Sequence, residues 1–180
     1  MKKIGMIASL VSVLAVSAPV AASADNIERI GDVLQLASPA YALYLSNSLN
    51  SRAGLSSCGK AIGTTFLATH ALKYAIDAPR PNGGGKGFPS GHTSSAAVGF
   101  GCVLGQEGMS TAALTLGAAT LFTGYSRVES DHHTWEQVGA GFALGTAIGY
   151  YSTRHLAKGQ RIEYDMASDG TQSLAFSFDF

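Results

Sequence analysis

The sequence predicts an all-α protein, a bundle of about five helices followed by a short C-terminal β-hairpin. Three observations predict this class. Hydrophobic residues make up 46% of the chain and charged residues only 13%, which is typical of a folded protein whose helices have little charged surface. The apolar segments end at clusters of Pro and Gly. Gly, Ala, Ser and Thr are frequent inside them, which suits closely packed helices in water or in a membrane.

Residues 1–24 are predicted to be a secretory signal peptide that is cleaved from the mature protein, with an uncleaved anchor as the alternative. The chain opens with the basic Met1-Lys2-Lys3, continues with the mostly apolar stretch Ile4 to Val16, and closes with Ala22-Ser23-Ala24. The apolar stretch is shorter than the roughly 18–20 residues that span a membrane, and the small residues are typical of cleavage before Asp25. We therefore expect an exported protein, periplasmic in a bacterium with two membranes. Membrane association stays open.

A helical domain is predicted for residues 25–160 from apolar periodicity and its interruptions. The first helix has an apolar stripe of Ile27, Ile30, Leu34 and Ala37, and Pro39 is expected to break or kink it. The second ends where Pro79 and Pro81 forbid continuation, and the later breaks fall at 106–108 and 127–132. The five predicted helices are 25–50, 58–76, 90–104, 110–125 and 133–155.

The tail, residues 161–180, changes to a two-residue alternation of apolar and polar side chains. Ile162 and Tyr164 alternate with polar residues before Asp169-Gly170, and Phe176 and Phe178 alternate after it. This pattern predicts a β-hairpin packed on the helices. An exposed tail that binds a partner is the alternative.

Two cysteines, Cys58 and Cys102, remain after signal cleavage. An oxidising compartment permits a disulfide between them. Buried free thiols are the alternative, and the spacing does not indicate metal binding.

Two clusters of polar residues lie around the predicted end of the second helix and the start of the third. Lys73 and Arg80 can face one pocket if the chain folds back there, although a lysine at a helix C-terminus can simply be solvated. Ser90-Gly91-His92 lies where a Gly-rich loop enters a helix. Free backbone N–H groups at a helix start bind oxyanions, and His92 could donate a proton to one. An ordinary N-cap with a surface histidine is the alternative.

A third cluster, Ser126-Arg127 with His133 and Gln137, lies around the start of the last predicted helix. His133 and Gln137 are four residues apart, so Gln137 can reach the imidazole and orient it. A histidine at a helix N-terminus favours the neutral form that a nucleophile requires. The alternatives are an exposed His132-His133 pair and an Arg127 that only caps the preceding helix.

In this order, Lys73-x6-Arg80-Pro81, Pro89-Ser90-Gly91-His92 and Ser126-Arg127-x5-His133 resemble the signature of the type 2 phosphatidic acid phosphatase superfamily. That superfamily includes bacterial non-specific acid phosphatases and vanadium haloperoxidases. The resemblance implies a helical bundle that transfers phosphoryl groups without a metal or other cofactor. It makes His133 the nucleophile that forms a phosphohistidine and His92 the acid that protonates the leaving oxygen. The residues it assigns to the phosphate are Lys73, Arg80, Ser90, Gly91 and Arg127.

One position departs from the family pattern, which has Asp four residues after the nucleophilic histidine. Gln137 can still orient His133 but carries no charge to stabilise an imidazolium, and Glu136, Glu129 or Asp131 could substitute.

From the resemblance and the signal peptide we predict an exported phosphatase for phosphomonoesters or pyrophosphates, on a small molecule or a lipid headgroup. The alternative is a catalytically weakened protein that binds phosphate or a lipid headgroup. The formal net charge of +0 argues against a nucleic-acid partner.

Overall fold

The computed structural model describes residues 24–156, 161–166 and 172–177. The predicted signal peptide lies outside the described residues apart from Ala24, where the first helix begins. The helical class is confirmed. In chain order the helices are α1 (Ala24–Ile76), α2 (Gly91–Glu107), α3 (Thr111–Glu129), α4 (Trp135–Thr153) and a 3-10 helix (Arg154–Leu156).

α1 is assigned as one helix of 53 residues, but its contacts show that the chain reverses direction within it. A Cβ atom at Gly54 would meet the backbone oxygen of Ser46, and one at Gly59 would lie 4.0 Å from the Leu43 side chain. In a straight helix, residues eight apart are separated by about 12 Å. α1 therefore has a first limb, residues 24–46, and a second limb, residues 54–76, which correspond to the two predicted helices.

The expectation of a break near Pro39 is wrong, because the first limb stays helical through that residue. It packs tightly on α2 there: a Cβ atom at Gly99 would lie 2.7 Å from the Ser38 oxygen and 3.0 Å from the Pro39 nitrogen. The predicted apolar stripe is also not the buried face, since Ile30 is 47% exposed. The limb instead buries a stripe of small residues, which includes Gly31, Ser38, Ala42 and Ser46.

α2 lies at the centre of the bundle, and α4 packs directly on its backbone. Cβ atoms at Gly141 and Gly149 would lie 2.5 Å from the backbone oxygens of Ser90 and Val98. These glycines, with Gly145 between them, are spaced by four and share one helix face. Only a residue without a side chain permits this approach. The packing brings the start of α4 close to the start of α2.

A disulfide joins Cys58 in the second limb to Cys102 in α2, with Cα atoms 5.7 Å apart. The question that the sequence left open is thus resolved in favour of pairing. The first limb is tied to the same part of α2 by Gln106, whose Nε2 donates to Ser46 Oγ at 2.8 Å. Both limbs are therefore held against α2 at the end opposite its N-terminus.

Two helix ends differ from the prediction. α3 continues to Glu129, so Arg127 lies in its last turn and not in the predicted break. α4 begins at Trp135 with Thr134 as its N-cap, so His133 precedes the helix. Among the described helices, none has both the length and the hydropathy required of a membrane span.

The predicted C-terminal hairpin stays a prediction. The structure assigns strands β1 (Arg161–Met166) and β2 (Gln172–Ser177), paired antiparallel with Arg161 opposite Ser177 and Met166 opposite Gln172. The residues that would form the turn, 167–171, lie outside the described part of the chain.

Candidate active site

One pocket of about 220 Å³ opens where α2 begins. All three sequence clusters contribute to it, through Arg80, His92, Arg127 and His133, and the first limb of α1 adds two carboxylates. Its lining residues are Glu28, Asp32, Arg80, His92, Arg127, His132 and His133. The fold therefore gathers the separate sequence clusters around one cavity.

The His133 ring is held by Gln137. His133 Nδ1 lies 2.9 Å from Gln137 Oε1, and Gln137 Nε2 donates to the Pro79 carbonyl oxygen at 2.8 Å. Because a carbonyl oxygen only accepts, the amide nitrogen must face Pro79 and the amide oxygen must face His133. Nδ1 therefore carries the ring proton, and Nε2 keeps its lone pair. This is the tautomer that a nucleophilic imidazole requires.

Gln137 is placed by the local sequence of α4. Thr134 and Gln137 form a capping box, in which each side chain bonds the other residue's backbone N–H at 3.4 Å. The pattern Thr-x-x-Gln at a helix start signals this arrangement and could have selected Gln137 over Glu136. Glu136 is exposed in the first turn. Neither Glu129 nor Asp131 is among the described residues that line the pocket.

His133 is neutral in ordinary buffers because it is buried. Burial lowers the pKa of His133 to about 4, the Gln137 hydrogen bond opposes the shift, and Lys73 and Arg80 add to it. The imidazole is only 3% exposed. We expected a neutral His133 because of its place at a helix N-terminus. In the structure, desolvation by burial is the main cause.

Lys73 and Arg80 lie close enough to His133 for their charges to act on it. Lys73 is 9% exposed, and its Nζ donates to the Lys86 oxygen at 2.8 Å. Burial, and then the charge of Arg80, lower the pKa of Lys73 to about 8. Lys73 is therefore not the solvated partner of a helix dipole. Arg80 donates from Nε to the Gly85 oxygen at 3.1 Å and reaches the pocket.

Ser90 is the N-cap of α2 and is fully buried. Its Oγ accepts from the Thr93 backbone N–H at 3.4 Å and from Thr93 Oγ1 at 3.0 Å. The Ser90 backbone N–H donates to the Gln137 backbone oxygen at 2.9 Å. A Cβ atom at Gly91 would lie 3.5 Å from Lys73 Cε. The capping alternative is thus realised at Ser90, and neither Ser90 nor Gly91 is among the described residues that line the pocket.

Arg127 is 2% exposed and is bonded to the first limb of α1. Nη1 donates to Asp32 Oδ1 at 2.9 Å, and Nη2 donates to the Glu28 backbone oxygen at 2.7 Å. Asp32 Oδ1 also lies 3.1 Å from His92 Nε2. Burial and the charge of Arg127 lower the pKa of His92, and Asp32 opposes them. Glu28 and Asp32 belong to no sequence motif, so neither was predicted as a site residue.

His132 is the other residue that sequence reasoning did not use. Asn82 Oδ1 accepts from the Gly84 N–H at 3.1 Å, so Asn82 Nδ2 faces His132 Nδ1 at 3.1 Å. His132 then donates from Nε2 to Glu28 Oε1 at 2.8 Å. This bond is the main cause of the lowered pKa of Glu28. The exposed pair suggested for His132-His133 is therefore not observed.

A helical bundle that collects two arginines and two histidines around a small pocket has residue types that phosphoryl transfer uses. A family model described as the PAP2 superfamily matches residues 82–161. The match covers the motifs around His92 and His133 and supports the resemblance drawn from the sequence. That superfamily suggests phosphatase-type activity in general. Searches of curated proteins and of solved structures returned no match.

Proposed function

We propose that this protein is an exported, metal-independent phosphatase that hydrolyses phosphomonoesters or pyrophosphates through a phosphohistidine at His133. One observation carries the proposal. The buried His133 donates a hydrogen bond from Nδ1–H to Gln137 Oε1 and keeps the Nε2 lone pair in a pocket shared with Arg80, Arg127 and His92. A neutral nucleophile beside fixed cations and a second imidazole is what stepwise phosphoryl transfer requires.

The first step forms a bond between His133 Nε2 and phosphorus and breaks the bond from phosphorus to the leaving oxygen. His92 transfers a proton to that oxygen as it leaves. Arg80 and Arg127, with Lys73 nearby, offset the charge that spreads over the other phosphate oxygens. In the second step a water attacks phosphorus and gives a proton to His92, the P–N bond breaks, and phosphate leaves.

Export is proposed from two features. The first 24 residues have the pattern of a signal peptide, and the Cys58–Cys102 disulfide is typical of oxidising compartments such as the periplasm. The substrate is a small phosphorylated molecule or a lipid headgroup. Comparing hydrolysis of a soluble aryl phosphate with hydrolysis of phosphatidic acid in vesicles distinguishes the two.

A second candidate function is phosphate or lipid-headgroup binding without turnover. The neutral amide of Gln137 favours it, because this group gives no charge stabilisation to an imidazolium at His133. Gln137→Asp separates the candidates. A large gain in turnover would indicate a weakened site, whereas no gain or a loss would show that Gln137 is a working part of the enzyme.

The test is phosphate release from an aryl phosphate by protein purified after expression of the full chain, in the presence of a chelator. His133→Ala should lower turnover by at least about a thousandfold, as expected for loss of a nucleophile. His155→Ala is the matched control, since His155 is exposed in the 3-10 helix. An acid-labile phosphoenzyme should be trapped from the parent and not from His133→Ala. Unchanged turnover in His133→Ala would refute the mechanism.

A further inference from the structure

Of the two carboxylates that the first limb of α1 adds to the pocket, Asp32 contacts both Arg127 and His92. Asp32 Oδ1 accepts a hydrogen bond from Arg127 Nη1 at 2.9 Å and lies 3.1 Å from His92 Nε2. Asp32 and Arg127 are 95 residues apart in the chain, and Asp32 lies outside the segment that matches the family model. One oxygen therefore joins a predicted phosphate ligand to the proposed acid.

The backbone next to Asp32 is placed by packing of the first limb on α3, while the Asp32 side chain is 46% exposed. A Cβ atom at Gly31 would meet the Ser126 side chain and lie 3.1 Å from Arg127 Nη2. Glycine at this position therefore allows the first limb to approach α3. Arg127 is also fixed from a second direction, because its Nε donates to Ser126 Oγ at 3.1 Å.

The contact has a chemical consequence for His92. A general acid must carry its proton when the substrate binds. Burial, Arg127 and His132 all lower the pKa of His92, and Asp32 is the group that raises it. The other charged or titratable groups in the pocket are Glu28, Arg80 and His133. Of the groups that act on His92 most directly, only Asp32 favours the protonated ring.

We propose that Asp32 is a positioning residue of the active site, which orients Arg127 toward the phosphate and keeps the proton on His92 for the leaving oxygen. The first limb of α1 is then part of the catalytic apparatus. This inference rests on the proposed phosphatase function. Its effect is exerted through His92 and Arg127, and the reacting atoms do not include Asp32.

Asp32→Asn tests the proposal, with Asp25→Asn as the control that makes the same charge change at an exposed position of the same limb. An opposite charge at this distance shifts a pKa by about one unit or more. Asp32→Asn should therefore lower the pKa of His92 by about one unit in an NMR titration of the ring. The alkaline limb of kcat should move down by the same amount, and Asp32→Glu should restore part of the shift.

The leaving group gives a readout that a purely structural role would not change. An alkyl phosphate needs a proton on its leaving oxygen more than a nitrophenyl phosphate does. Asp32→Asn should therefore reduce turnover of the alkyl ester more, whereas a folding defect would reduce both equally.

Two results would overturn the proposal: an unchanged His92 pKa, or a rise in turnover, which would show that the carboxylate blocks the phosphate site. A parent protein without phosphatase activity would refute the proposed function instead. The NMR titration would still decide whether Asp32 sets the protonation of His92.

Discussion

Replacing Gln137 by Met should lower turnover while leaving the protein folded. Methionine has a similar length and fills the same space, but it removes both polar atoms. The amide normally accepts from His133 Nδ1 at 2.9 Å and donates to the Pro79 oxygen at 2.8 Å. Gln137 is only 6% exposed, so water does not readily replace either partner.

The size of the effect follows from the cost of an unpaired buried polar group, which is about 1–3 kcal/mol. Applied to the Nδ1–H of His133, this cost shifts the ring toward the other tautomer by about 5- to 150-fold. Only the Nδ1-protonated form has a lone pair on Nε2, so kcat should fall, by at most this factor. The unpaired Pro79 oxygen should lower the free energy of unfolding by about 1–3 kcal/mol.

The assay is kcat for an aryl phosphate at neutral pH, measured beside a denaturant unfolding curve. Gln137→Glu is the matched control. Its carboxylate still accepts from His133, while the donor to Pro79 is lost and a negative charge is added. It should keep kcat within about tenfold of the parent, and its charge should raise the pKa of His133 above about 4. Parent-like kcat in Gln137→Met would show that the amide does not control the tautomer.

Three further predictions concern stability and pH. Reducing the Cys58–Cys102 disulfide, which spans 44 residues, should destabilise the fold by about 4 kcal/mol in guanidinium titrations with and without reductant; an unchanged midpoint would contradict this. Gly145→Ala should cost about 1–3 kcal/mol, because its Cβ would lie 2.9 Å from Ala97 Cβ. Gly139→Ala, whose Cβ would have no atom within 4 Å, should leave the stability unchanged or raise it by up to about 1 kcal/mol. Thermal unfolding in which Gly139→Ala is the less stable of the two variants would argue against this packing. Finally, kcat/KM should fall as pH drops below about 4, where His133 gains a proton; an acid limb near the ordinary histidine pKa of about 6.5 would contradict burial of the ring.

Much of the site could be predicted from local sequence. The motifs around Arg80, His92, Arg127 and His133 have spacings that place each residue near a helix end, and the structure brings all four to one pocket. Their catalytic roles stay predictions. The capping box of Thr134 and Gln137 is also a local sequence pattern, and it indicates that Gln137, not Glu136, is the residue that orients His133.

The carboxylates of Glu28 and Asp32 could not be predicted in this way. They approach Arg127 because the first limb packs against α3 beside Gly31, and no spacing between residues so far apart in the chain indicates that contact. The same holds for Pro79, whose backbone oxygen orients Gln137. A backbone acceptor has no sequence signature.

The chain by itself determined that the second limb ends before Pro79 and that α2 begins after Pro89, since Pro acts through local backbone geometry, and which residue types are present for phosphoryl transfer. Tertiary structure decided which faces are buried. The first limb turns Gly31 and Ser38 inward and leaves Ile30 largely exposed, because small residues allow helix backbones to approach closely. It also decided the charge of His133, since desolvation depends on neighbours that local sequence does not specify.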